Sequence, residues 1–474
     1  MVFSSNLFLL YFFPIFFILY FITPYKFRNY TALLGSVIFY TWGAPLFVPT
    51  ILGSIAIDFI LVKFMDSQEG KKRRMMLTLL IVLNVGLLVY YKYSNFLVEN
   101  LNAIAALGNG HGIKWSNVIL PIGVSFFTFH KLSYVIDVYR RVNQPLKNIA
   151  DYSLYILLFP QLIAGPIVRF KEISAQLKNR EKLSNIDNQL LGLIRFVIGL
   201  SKKVLIANVL GAQVDFLFSA GLSELSTANV WFAIIAYSFQ IYFDFSGYSD
   251  MAIGMARMMG FVFPENFNNP YISRNITEFW RRWHITLGTW MRDYLYIPLG
   301  GNKVSEKKMY RNLVIVFLIS GLWHGASWNF IAWGAFHGLF LIADRLFLIR
   351  FTERIGTIAS IALTYSITLI GWVLFRTETM KDAFVFFKKM FSYTPSQHFI
   401  YYIDQKTYTI LLVAILFSFM GMFKRIEQNG TRLLGSVLNL RSTIVAITFC
   451  FVLLLTCIGS ITTSGFNPFI YFRF

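Results

Sequence analysis

His324 lies in Gly-Leu-Trp-His-Gly-Ala-Ser-Trp-Asn (321–329), a polar island in a stretch that otherwise reads as membrane-embedded. Imidazole is the side chain whose unperturbed pKa lies nearest neutrality, so it can take up or give a proton under ordinary conditions. An ionisable group at membrane depth is costly and marks a functional site by default. Trp323, Ser327, Trp328 and Asn329 make the surroundings polar enough for a cavity rather than lipid. The plainer alternative is a histidine hydrogen-bonded between packed helices.

A second histidine, His284, occupies residues 264–303, a segment too polar to span a bilayer yet unlike a solvated loop. Trp280, Arg281, Arg282, Trp283, His284, Trp290 and Arg292 interleave within residues 280–292. Asn275 followed by Thr277 and Glu278 predicts a helix start, with Glu278 placed to pair with Arg282 at i,i+4. The same spacing predicts that Trp280 and His284 share a face. The competing structural reading is an interfacial amphipathic helix, anchored by Trp and snorkelling Arg.

Further polar residues at membrane depth are Gln161, the run Gln240, Tyr242, Asp244, Ser246, Tyr248 and Asp250, the group His130, Lys131 and Asp137, and His337. For Asp244 and Asp250 an interhelical ion pair or hydrogen bond is at least as good a reading as catalysis. His130 and His337 read as structural, and His111 and His398 fall in outer loops. The chain has no Walker A loop, no GxGxxG after a strand, no HExxH and no GxSxG. His284 and His324 lack metal-ligand spacing, so no metal site is expected.

The elements that must position these residues are membrane helices. Of 474 residues, 56% are hydrophobic and 14% charged, whereas a soluble domain is about 25% charged. Fifty Phe, 25 Tyr and 10 Trp suit a polytopic bundle with aromatic belts. The net charge of +20 follows from Lys and Arg concentrated in cytoplasmic loops, so no nucleic-acid partner is expected. Cys450 and Cys457 are seven residues apart on one apolar helix, roughly 10 Å, too far to bridge. The apolar N-terminus to Ile22 lacks a basic n-region and a cleavage site, and so reads as a first transmembrane helix rather than a signal peptide.

Apolar runs occur near 5–23, 30–46, 47–63, 75–93, 117–137, 188–218, 228–247, 311–345, 355–375, 408–423 and 442–462, which gives about eleven spans. Residues 152–168 contain Pro160, Gly165 and Pro166, the pattern of a broken or re-entrant helix. The expectation is an all-α polytopic membrane protein forming a single domain over 1–474. Lys26 and Arg28, Lys71 to Arg74, and Arg140, Arg141 and Lys147 follow odd-numbered helices. The positive-inside rule then places the N-terminus outside. Lys424, Arg425 and Arg432 before the last helix place the C-terminus outside as well. No internal repeat of the transporter kind is visible.

Three blocks, Glu-Phe-Trp-Arg-Arg-Trp-His-Ile-Thr-Leu (278–287), Trp-Met-Arg-Asp-Tyr-Leu-Tyr-Ile-Pro-Leu-Gly-Gly-Asn (290–302) and 322–338 around His324, strongly resemble the membrane-bound O-acyltransferase family. The bacterial branch that O-acetylates alginate is the most similar. Gln-Leu-Ile-Ala-Gly-Pro-Ile (161–167) and Asp-Phe-Ser-Gly-Tyr-Ser-Asp-Met-Ala-Ile-Gly (244–254) resemble further hallmarks of that branch.

The resemblance implies a helical bundle with a central tunnel. It assigns the family's near-universal histidine to His324 and its second motif residue, Asn or His, to His284. Lining candidates are Trp280, Arg281, Trp283, Trp323, Ser327, Asn329, Gln161, Tyr242 and Asp244. It implies no bound cofactor, with acetyl-CoA or another acyl-CoA, or else an acyl carrier protein, as the donor. The acceptor would be an extracytoplasmic polysaccharide hydroxyl, or a periplasmic or surface partner protein that relays the acyl group. The location implied is the bacterial inner membrane. A D-alanyl-type transferase is the nearest alternative. A histidine-dependent transporter or flippase and a non-catalytic scaffold are the alternatives of other classes.

Overall fold

The computed structural model describes residues 2–108, 110–221, 224–393, 403–423 and 440–465. His398, Lys424, Arg425, Arg432 and the final residues 469–474 lie outside them. The described residues are helical, with no strand among them. Six helices are long and apolar enough to cross a membrane: Pro45–Asp66, Gly70–Leu107, Trp328–Ile355, Thr357–Arg376, Gln405–Met422 and Leu440–Ser464, and Phe8–Ile22 is a shorter apolar one. The all-α, multi-span class therefore holds. Of the other apolar runs, 228–247 lies within the long helix Thr227–Met258 and 188–218 within contiguous helical segments from Ile186 to Ser219. The 117–137 run is helical only from Val124, and the 311–345 run is not continuous but breaks after His324.

The chain packs as two compact units, one built mainly from Leu7–Asn188 with Met259–Phe263, the other mainly from Gln189–Met258 and Pro264–Phe474. In the first, Lys131 pairs with Asp58 at 2.9 Å with both side chains buried. Asn84 Nδ2 and the Tyr152 hydroxyl donate to the same carboxylate at 3.0 and 3.3 Å. A buried charge must be paired and its lone pairs filled, and this cluster does so with residues from four helices. The 152–168 segment is broken as expected. Helix Ile149–Leu157 stops at Leu158, whose ψ of 109° is extended, and a short turn Phe159–Leu162 follows. Phe159 N–H donates to Ser36 Oγ at 3.1 Å and Gln161 Nε2 to the Tyr155 carbonyl at 2.6 Å, so protein groups satisfy the interrupted backbone.

The second unit is organised around helix Thr227–Met258, which is buried over most of its length. Gly247 and Gly254 let it approach helix Ile186–Ser201. A Cβ on Gly247 would stand 2.7 Å from the Gly199 carbonyl oxygen, and one on Gly254 2.5 Å from that of Gly192. Asp244 pairs with Lys203 at 2.6 Å, and Asp250 with Lys202 and Arg195 at 2.6 and 2.9 Å. Helices Glu306–His324 and Trp328–Ala343 form a hairpin closed by Gly-Ala-Ser. Their backbones touch where Gly321 meets the Phe330 carbonyl and Gly334 meets that of Phe317. An added Cβ would come within 2.2 and 2.3 Å of those oxygens. Small residues at a helix crossing permit this approach, and here they fix where His324 sits. Cys450 and Cys457 are both free thiols.

Candidate active site

Asn275 caps helix Ile276–Arg282 by accepting from Glu278 N–H at 2.7 Å, and Arg282 pairs with Glu278 at 3.0 Å, as the sequence predicts. The predicted shared face of Trp280 and His284 is not found. Trp283 is extended, with φ −98° and ψ 128°, and His284 is left-handed, with φ 45° and ψ 52°, before helix Ile285–Met291 starts. The helix periodicity is broken between the two side chains. Trp280 instead packs on Phe317, Trp333 and His337, with ring centroids 5.3, 5.5 and 4.9 Å away. His284 packs on Phe245 at 4.7 Å and Trp323 at 6.0 Å.

A left-handed non-glycine residue is strained by about 1–2 kcal/mol, so the surroundings must hold His284 in place. Asn266 does. Its Oδ1 lies 3.0 Å from His284 Nδ1 and accepts from Thr286 Oγ1 at 2.9 Å. Its Nδ2 donates to Ser249 Oγ at 3.0 Å, and its carbonyl accepts from Ile285 N–H at 2.9 Å. His284 stands outside the spanning helices, and desolvation pushes its pKa down to about 3. It is therefore neutral at physiological pH. Nothing in the sequence flagged Asn266: its partner is 18 residues away, beyond any helical or strand period.

His324 ends its helix and is buried. Its ring meets Trp323 at 4.9 Å, Trp333 at 5.0 Å and Phe375 at 5.2 Å. Trp323 thus touches both imidazoles, so less than the sum of two ring contacts separates His284 from His324. Beyond Trp333 the stack continues to His337 at 5.0 Å.

A cavity of about 1120 Å³ opens beside His324. Its wall includes Gly325, Ala326 and Ser327 directly after the histidine, and Phe330 and Phe375. Its rim carries Asp215, Arg376, Glu378, Lys381 and Asp382. Arg376 is held by Asp215 at 3.0 Å and lies over the Phe218 ring at 4.1 Å.

The remaining candidates divide by setting. Ser327 lines the cavity. Asn329 is buried and donates to the Thr377 carbonyl and hydroxyl at 2.8 and 3.0 Å, tying two helices together. Trp283 and Tyr242 pack together in the core, rings 6.1 Å apart. Asp244 is in its ion pair with Lys203. Arg281 is exposed, and Arg292 pairs with Asp293 at 2.9 Å. Gln161 belongs to the first unit. No cluster of three metal-ligating side chains occurs among the described residues.

The arrangement places two histidines around one indole, and His324 packs on Phe375, which lines a cavity large enough for a substrate. Residues 37–377 match the membrane-bound O-acyltransferase family profile. A probable alginate O-acetylase of Pseudomonas aeruginosa is 42% identical over 395 residues, covering 83% of this chain and 75% of that protein. A peptidoglycan O-acetyltransferase of Helicobacter pylori is 38% identical over 424 residues, covering 82% and 80%. A teichoic acid D-alanyltransferase of Streptococcus thermophilus is 31% identical over 276 residues, covering 55% and 65%.

Proposed function

The chain belongs to the membrane-bound O-acyltransferase family, and from that premise we propose that it moves an acetyl group from a cytoplasmic thioester to a glycan hydroxyl outside the membrane. The glycan receives the acetyl directly or through a periplasmic or surface partner that relays it. The alginate and peptidoglycan relatives support an O-acetyl group and a cell-surface polysaccharide over D-alanine, since they match far more of the chain. Acetyl-CoA is the proposed donor, with an acyl carrier protein as the variant, and the bacterial inner membrane the proposed location. The family match crosses both units, which supports the whole chain acting as one catalytic domain.

The observation that carries this reading is the pair of buried histidines on Trp323, of which His324 packs on Phe375 in the cavity wall. In the proposed step His324 takes the proton of the acceptor hydroxyl as its oxygen bonds to the thioester carbonyl carbon. The tetrahedral intermediate then collapses, the carbon–sulfur bond breaks, and the leaving thiolate receives that proton from the imidazolium. His284 assists by hydrogen bonding or proton relay.

The basic clusters Lys71–Arg74, in the first turns of helix Gly70–Leu88, and Arg140–Arg141 support a cytoplasmic side for them, and hence an outer N-terminus. The charged residues Arg376, Glu378, Lys381 and Asp382 that line the cavity suit it as the entrance for a polar acceptor. Within the basic clusters Arg73 is already engaged, bonded to Asp66 and the Val138 carbonyl, so donor attraction falls to its neighbours. The test is cleavage of an acetyl thioester by the purified protein. A transferase cleaves it with dependence on His324, whereas a transporter or scaffold leaves it intact.

A further inference from the structure

We propose that Asn266 is the positioning residue that fixes His284 as its Nδ1–H tautomer and so presents a bare Nε2 to the acyl-transfer centre. This rests on the reading of His284 as a site residue.

The orientation of the Asn266 amide follows from its partners. Thr286 N–H lies 3.4 Å from the atom facing it, and Thr286 Oγ1 lies 2.9 Å from the same atom. A backbone N–H only donates, so the atom facing it must be the oxygen, and the amide nitrogen turns to Ser249 Oγ. An amide oxygen only accepts, so His284 Nδ1 at 3.0 Å must carry the hydrogen. In a neutral imidazole that leaves Nε2 as the lone pair. Nε2 is buried and has no hydrogen-bond partner among the described residues.

An unmet buried acceptor is expensive in a merely structural histidine, and so is the left-handed backbone that carries it. Both are explained if Nε2 accepts a hydrogen bond from a donor group that arrives with substrate, while Nδ1 keeps its own hydrogen on Asn266 and His324 carries the transferred proton. Asn266 is buried, and its carbonyl also holds the first turn of helix Ile285–Met291, so the residue sets the position of the ring and its tautomer together.

The groups packed against His284 come from three elements. Helix Thr227–Met258 brings Phe245, with Asp244 and Asp250 on the same helix already paired to Lys203, and to Lys202 and Arg195. Helix Glu306–His324 brings Trp323, with His324 beyond it. The 264–275 segment brings Asn266 itself, with Glu265 paired to Arg195. A carboxylate at position 266 would therefore be a new charge facing the ring.

The experiment compares Asn266→Ala, Asn266→Asp and His284→Ala in acetyl transfer from acetyl-CoA, each as a full pH–rate profile. Asn266→Ala should lower kcat about 100-fold with KM little changed. Asn266→Asp still accepts from Nδ1, so it should recover most of that loss. Its negative charge stabilises the imidazolium and should move the acidic limb to higher pH by about 1 unit or more. If His284→Ala is inactive while Asn266→Asp keeps the wild-type limb, or Asn266→Ala keeps the wild-type kcat, the tautomer role is wrong and the site reading stands. If His284→Ala itself turns over normally, both fail. Should Asn266→Ala not fold, the limb of Asn266→Asp decides alone.

Discussion

The two histidines are held in opposite ways. His324 sits on a regular helical turn, and its position comes from backbone packing: Gly321 and Gly334 bring two helices together, and Trp323, Trp333 and Phe375 close on the ring. His284 sits on a strained left-handed residue, and its position comes from a hydrogen-bonded amide, Asn266, itself tied to Ser249 and Thr286. Ring packing and helix contact fix the place of the His324 imidazole, and at His284 the Asn266 oxygen fixes both the place of the ring and its protonated nitrogen. The difference matches the proposed division of labour, in which His324 gains and loses a proton beside the cavity and His284 keeps one tautomer throughout.

The largest expected effect comes from prying the hairpin apart. In Gly321→Leu the side chain would drive into the Phe330 carbonyl, and overpacking of this kind costs about 1–3 kcal/mol. Transfer should fall by more than 100-fold even in the folded fraction, because a misplacement of about 1 Å alone can cost that much. A thermal-shift assay with turnover on the soluble peak checks both numbers. A Gly321→Leu protein with wild-type turnover would mean that the hairpin does not set the position of His324.

Next comes the hydrogen-bonding role of His284. His284→Ala should lose about 100-fold in kcat, while His284→Asn, which keeps polar groups at the site, should retain more. Equal and complete loss in both would show that an ionisable imidazole is required there and would erase the contrast with His324.

A smaller effect is on stability against pH. The His284 pKa in the folded protein is depressed to about 3, below the roughly 6.5 of an unfolded chain. Between these values the unfolded state binds the extra proton, so stability is fully present above pH 6.5 and falls as pH drops. The slope is about 1.4 kcal/mol per pH unit for this one group. Denaturation midpoints of His284→Asn should decline less steeply over pH 6 to 4 than those of the wild type. Parallel curves would show that the ring is not desolvated as described. The smallest effect is expected at Arg281, which is exposed: Arg281→Ala should change stability by less than about 0.5 kcal/mol. A large loss of turnover there would reveal a donor contact.

What the sequence disclosed follows from the range of its signals. Composition and apolar runs identify a helical membrane protein, Asn275 with Glu278 and Arg282 identifies a helix start, and Pro160 with Gly165 identifies the interrupted helix around Gln161. These signals act over a few residues. The turn at Trp283 and His284 has no local signal because neither residue is a helix breaker by type; the tie to Asn266 that stabilises it spans 18 positions. The break after His324 was hidden for a related reason, since Gly-Ala-Ser is apolar enough to continue a hydropathy run. The pairing of Asp58 with Lys131, 73 residues away, has no local signal at all.

The most direct test of the central claim, acyl transfer across the membrane at His324, uses sealed vesicles in both orientations carrying the wild type or His324→Ala, with acetyl thioester added outside. Inverted wild-type vesicles should consume the donor and right-side-out vesicles should not, and His324→Ala should be inactive in both while inserting normally. Near-normal turnover by His324→Ala, or equal donor consumption by right-side-out vesicles, would contradict it.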